Sequence, residues 1–87
     1  MRFIVRWLAN ALQKLAQVWL AAPDRNAITQ ATNRIDARLE RDPHGESESR
    51  GGRDRVLFEA PLGVLFRIDE TKRFVYVMSV WRFETRP

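Results

Sequence analysis

The chain changes its hydrophobic period once, near residue 53, and that change constrains the fold more than any other feature. Upstream, apolar residues recur every three or four positions, as on one face of a helix; downstream they alternate, as on a strand. From Arg53 to Phe83 the alternating stretch is broken by two turns, so it reads as three consecutive antiparallel strands. In the first, Val56 and Phe58 oppose Arg55, Leu57 and Glu59, and Ala60-Pro61-Leu62-Gly63 marks a turn. In the second, Val64, Phe66 and Ile68 alternate with Leu65 and Arg67, and 69–72 forms the next turn. The third sets Phe74, Tyr76, Met78 and Val80 against Val75, Val77 and Trp81; being apolar on both sides, it takes an interior place in the sheet.

The upstream half supplies what packs on that sheet. Phe3 to Trp7 alternates too briefly for a helix and reads as a short strand. Leu8, Leu12, Leu15 and Trp19 then recur at helical spacing with Ala11, Ala16 and Leu20 beside them, predicting a helix over 8–22 that Pro23 closes. Asp24 is placed to cap a second helix, 24–41, in which Ile28, Ala31, Ile35 and Leu39 form the apolar stripe. Asp42-Pro43 ends it, and 44–52, without an apolar residue, reads as an exposed, mobile loop. The expected fold is α+β: a short N-terminal strand, a two-helix hairpin over one face, then a three-stranded antiparallel meander, with residues 1–87 as a single domain. Trp7 and Trp19 fall in apolar patterns and are read as core.

Composition removes several functions. There is no cysteine and only one histidine, His44, so thiolate sites and histidine clusters are excluded and neither a metal nor a cofactor is expected. His44 follows a helix-ending proline with no partner nearby in sequence, which gives it no catalytic assignment. The apolar run 3–22 is interrupted by Arg6, Asn10, Gln13, Lys14 and Gln17, too polar for a membrane span, so a cytoplasmic location is the expectation. Fifteen Lys and Arg against eleven Asp and Glu give a formal charge of +4, and lysine occurs only at 14 and 72. Arginine favours planar, bidentate acceptors, so the expected partners are a nucleic acid or an acidic protein. An arginine-rich, GC-rich genome accounts for the same bias without a function.

An ordered set of segments then carries a resemblance: Ala-Pro-Asp at 22–24, Asp42-Pro43 followed by Gly45, the strand Gly63-Val64-Leu65-Phe66-Arg67-Ile68, and Val77-Met78-Ser79-Val80-Trp81-Arg82. In these the chain resembles the RelE/ParE superfamily of bacterial type II toxins, the plasmid-stabilisation family. The resemblance implies a growth-arresting toxin neutralised by a cognate acidic antitoxin. In its RelE-like branch the target is mRNA on the ribosome, cut by attack of a ribose 2′-OH on the adjacent phosphate. In its ParE-like branch the target is DNA gyrase, with no catalytic chemistry. A third reading is a decayed member that only binds its antitoxin.

Residue by residue, the resemblance implies a catalytic set for an mRNA endoribonuclease of Glu48, Arg53, Arg55 and Arg82. Glu48 follows Gly45 in the loop where RNA-cleaving relatives carry a glutamate general base. Arg53 and Arg55 open the first meander strand where such relatives carry basic residues, and alternation would let both converge on one phosphate. Arg82 falls in the last strand, where they carry a histidine, lysine or arginine. Arg50, Arg67 and Phe83 complete the set as nucleic-acid-binding residues, Phe83 by stacking. Each has a structural reading too: Glu48 as a solvated loop carboxylate, the arginines as a charged sheet face, Phe83 as packing beside Trp81. Two positions depart from the family pattern. Gly63 stands where an arginine is expected and Phe83 where a tyrosine or another ionisable group is expected, and neither can move a proton.

Overall fold

The computed structural model describes residues 2–84. It contains β1 (Ile4–Trp7), α1 (Ala9–Ala21), α2 (Arg25–Arg41), β2 (Glu48–Ser49), β3 (Arg55–Glu59), β4 (Leu62–Asp69) and β5 (Phe74–Arg82). The strands form one sheet in the order β1-β5-β4-β3-β2, with β1 parallel to β5 and the other neighbours antiparallel. Both helices lie on one face, leaving the other open. The α+β fold matches the expectation with one strand more: the polar loop contributes β2, whose Glu48 and Ser49 pair with Val56 and Arg55. Gly51 and Gly52, which turn the chain from β2 into β3, adopt left-handed φ values of 95° and 54° that glycine accepts without strain.

Helix α2 is the core helix. Ile28, Ala31, Ile35 and Leu39 are all fully buried, as their spacing predicted, and Asp24 caps the helix by accepting from the Ala27 amide at 3.2 Å. Helix α1 is rotated from its expected orientation. It turns Ala11, Leu15, Val18 and the adjoining Ala22 inward, at the same 4, 3, 4 spacing, while Leu8, Leu12, Trp19 and Leu20 stay exposed. Trp19 is therefore not a core residue; its indole is stacked by the Arg25 guanidinium and donates to Thr29 Oγ1. The helix carries apolar residues on too many sides for the stripe alone to choose which face is buried.

The sheet also departs from simple alternation. Leu65 pairs with Ser79 but Phe66 pairs with Val77, so Met78 is an extra residue in β5. This bulge puts Val75, Val77 and Val80 together on the helix face, buried with Val64 and Phe66, and moves Trp81 to the open face with Phe74 and Tyr76. In β3 the helix face belongs to Arg55, Leu57 and Glu59. Val56 and Phe58 lie on the open face, where Phe58 remains exposed.

Trp7 packs against the core and its indole N–H donates to Asp36 Oδ1 at 2.7 Å. Burial pushes the Asp36 carboxyl above the usual carboxylate range, against the Trp7 hydrogen bond, and Glu40 pushes in the same direction. The folded protein thus binds this proton more tightly than the unfolded chain, so stability falls as pH rises from the ordinary carboxylate value through the raised one. Asp36→Asn keeps an acceptor for Trp7 and removes the charge. It is expected to stabilise the protein modestly above that window and to flatten the pH dependence within it, as read by denaturant titrations across the acid range.

Candidate functional site

The open sheet face gathers polar and aromatic side chains in rows, because residues paired across neighbouring strands point to the same side. One row crosses the entire sheet. Arg6 pairs with Tyr76, Tyr76 with Arg67, the Arg67 guanidinium donates to Asp54 Oδ1 at 2.6 Å, and the Arg50 amide donates to the Asp54 carbonyl at 2.8 Å. The next row, about 7 Å further along the strands, is Glu48, Val56, Leu65 and Ser79. The row after that is Phe58, Gly63 and Trp81. Glu48 thus stands between a cationic row and an aromatic one. Its side chain is 73% exposed, with Arg50 as an ion pair at 3.9 Å.

The aromatic row is a packed cluster. Phe58 meets Trp81 edge-to-face at 6.1 Å and Phe83 at 5.5 Å, both close to perpendicular. Gly63 lies beneath Trp81: a Cβ at this position would fall 2.6 Å from Cε2 and Cζ2 and 2.8 Å from Nε1 of the indole. The position at which the resemblance implies an arginine is therefore closed by a neighbouring ring.

The residues anticipated from the sequence divide between the two faces. Glu48, Arg50, Arg67 and Phe83 belong to the open side. Arg53 lies in the turn ahead of β3 rather than in a strand, so alternation does not pair it with Arg55. Arg55 points to the helix side, where its guanidinium donates to the His44 carbonyl, the Ser47 carbonyl and Ser47 Oγ. Arg82, which unbroken alternation would put beside Tyr76, is turned by the bulge toward the helix linker at Ala22, Pro23 and Asp24. Arg55 and Arg82 thus do not converge with Glu48 on one phosphate. His44 contacts the Glu70 carboxylate, away from the three rows.

The arginines on the helix side instead fix the loop that carries Glu48. Arg41 and Arg38 both donate to Glu46 Oε2, at 2.8 and 3.1 Å, holding its carboxyl below the usual range, and Arg38 also bridges to Glu59 at 2.9 Å. With Arg55 on Ser47 and Pro43 buried, the segment read as mobile is anchored, and β2 is pinned to the sheet edge. Arg55→Ala, which deletes three charge-assisted bonds, is expected to cost about 1.5–3 kcal/mol and to free β2 before the remainder of the sheet. Amide exchange at Glu48, Ser49 and Val56 should accelerate while exchange in β4 and β5 holds. Equal acceleration across the sheet would contradict a local clasp.

Arg6, Phe58, Tyr76 and Trp81 were not anticipated. Arg6 and Tyr76 join the charged row only through the parallel pairing of β1 with β5, and Trp81 reaches Gly63 only through the bulged register. The signal available was that Arg6 is the only charge within β1 and Tyr76 the only tyrosine in the chain.

On the helix side, α1 and α2 leave an apolar groove of about 560 Å³ lined chiefly by Leu12, Leu15, Trp19, Leu20, Ile28 and Thr32. Leu12 is 51% and Leu20 62% exposed. Asp24, occupied in capping α2, is the only carboxylate in the first 35 residues; Arg25 stacks on Trp19 at the groove, and Arg34 is paired with Glu59 at 3.0 Å.

No protein-family model and no curated protein matches the sequence. Solved structures do match in fold. A chain of the RelBE2 toxin–antitoxin complex from Mycobacterium tuberculosis superposes with a TM-score of 0.79 at 16% identity, covering 94% of this chain and 99% of that one. The isolated E. coli RelE toxin gives 0.68 at 16% identity, covering 97% and 87%. The intact E. coli RelBE toxin–antitoxin complex gives 0.65 at 17% identity, covering 95% and 99%. The chain has the RelE toxin fold over nearly its full length.

Proposed function

We propose, from the RelE toxin fold of this chain, that it is the toxin of a toxin–antitoxin pair and acts in the cytoplasm on single-stranded mRNA laid across its open sheet face. The observation that carries the reading is the position of Glu48, held at the sheet edge between the arginine row and the aromatic row. Cleavage needs a base for the ribose 2′-OH and positive charge on the phosphorane. In this reading Glu48 takes the 2′-OH proton, the 2′-oxygen attacks the adjacent phosphorus, and the P–O5′ bond breaks to leave a 2′,3′-cyclic phosphate. The departing 5′-oxygen is protonated by water. Arg67, half exposed, has donors to spare beyond its bond to Asp54 and supplies the positive charge; Arg50 and Arg6 hold neighbouring phosphates.

One observation favours a second reading. Trp81 over Gly63 closes the position of the implied arginine, and Arg55 and Arg82 serve the other face, which suits a non-catalytic binder of DNA gyrase. Controlled expression in bacteria separates the readings when growth, mRNA 5′ ends and plasmid supercoiling are followed together. Growth arrest with new mRNA ends supports cleavage. Arrest with altered supercoiling and intact mRNA would replace it with gyrase inhibition, and absence of arrest would leave a protein that only binds its partner.

The antitoxin is assigned to the helix side. The apolar groove between α1 and α2 offers a surface for the apolar stripe of a third helix, and Arg25 stacked on Trp19 at its edge, with the net positive charge of the chain, favours one with acidic flanks. Neutralisation then requires the antitoxin to continue from the groove to 44–52 and over the open face.

A further inference from the structure

Three atoms of the Trp81 indole, including the ring-fusion atom Cε2, are nearly equidistant from the Cβ that Gly63 lacks, at 2.6, 2.6 and 2.8 Å. A fusion atom is screened by its ring neighbours from any edge-on approach, so the indole meets the Gly63 backbone with its face. The opposite face of the ring is turned away from the sheet. Phe58, 45% exposed, stands at 79° to this floor and meets Phe83 at 89°. Only glycine at 63 permits this arrangement.

We infer that Trp81 on Gly63, beside Phe58, is a stacking platform for one unpaired nucleobase of a single-stranded RNA. The inference rests on the RNA reading above and gives it a polarity on the sheet. The aromatic row lies two rows, about 14 Å, from the arginine row, so a base on Trp81 and a phosphate at Arg67 belong to different nucleotides of one strand. Glu48 falls between them. Trp81 itself is partly buried, and an aromatic floor binds bases irrespective of sequence because every base has a π-face, while the cationic row recognises the backbone. A hydrophobic peptide could also use an aromatic cluster, but it would have no use for arginines aligned at a fixed distance along the same strands.

The test is fluorescence anisotropy of the full chain with a labelled oligoadenylate hexamer, intact or carrying a single abasic nucleotide. Trp81→Ala and Phe58→Ala should each weaken binding to the intact hexamer, about 5- to 150-fold for Trp81. Phe58 is exposed enough for its variant to fold if the Trp81 variant does not. Gly63→Ala, which pushes the indole off its seat, should weaken binding as Trp81→Ala does and add little when combined with it. Arg67→Ala should weaken intact and abasic hexamers alike and reduce the salt dependence. Equal affinity of the wild-type protein for intact and abasic hexamers would overturn the inference, as would loss in Arg67→Ala without loss in Trp81→Ala or Phe58→Ala. Absence of RNA binding would also overturn it and pass the cluster to a protein partner. The assay involves neither ribosome nor cleavage, so a platform that binds in a protein that leaves mRNA uncut would refute the cleavage reading alone.

Discussion

Glu48→Gln is expected to lower mRNA cleavage by about 10² to 10⁴-fold, the usual worth of a positioned general base, while leaving RNA affinity and fold intact. The side chain is 73% exposed, so the near-isosteric amide replaces it with little packing cost. What is lost is the ability to accept the 2′-OH proton. Single-turnover cleavage on programmed ribosomes, compared with anisotropy on the same preparation, separates a lost chemical step from lost binding. A variant that binds and cleaves as well as wild type would remove Glu48 from the mechanism and shift weight to the gyrase reading.

Leu12→Glu combined with Leu20→Glu is expected to weaken the antitoxin by about 10³-fold, on roughly 2 kcal/mol for each anchor in a groove of this kind. Both residues are more than half exposed, so melting should scarcely change. The sign of the substituted charge adds a second test. Glutamate opposes an acidic partner as well as removing an apolar anchor, so Leu12→Lys and Leu20→Lys should cost less. Titration calorimetry with a candidate antitoxin reads both effects. Equal losses with glutamate and lysine would refute the acidic flanks, and undiminished affinity in both would refute the groove.

How legible these features were in the sequence depended on how many alternatives each pattern admitted. Helix α2 has one apolar stripe on an otherwise polar cylinder, and Ile28, Ala31, Ile35 and Leu39 are buried where spacing put them. Helix α1 is apolar on several sides, and the choice between Leu8-Leu12-Leu15-Trp19 and Ala11-Leu15-Val18-Ala22 was made by packing on the sheet. Strand β2 is two polar residues long and has no hydrophobic period to detect; it exists because Arg38, Arg41 and Arg55 anchor the loop leading into it and β3 offers it an edge. One extra residue in β5 then reversed the facing of everything beyond Met78, which sent Arg82 to the helices and Trp81 to the open face. The site is therefore less readable than the fold. Its rows are made of cross-strand neighbours, and a one-residue change of register rewrites them.

Ultraviolet crosslinking of a short single-stranded RNA to the purified protein, with the modified residues mapped by mass spectrometry, decides whether the open sheet face binds RNA. Adducts are expected on the open face, concentrated at Phe58, Trp81, Phe83 and Tyr76, with none at Trp19 in the helix groove. Adducts at Trp19, or none on the sheet, would contradict RNA binding at that face.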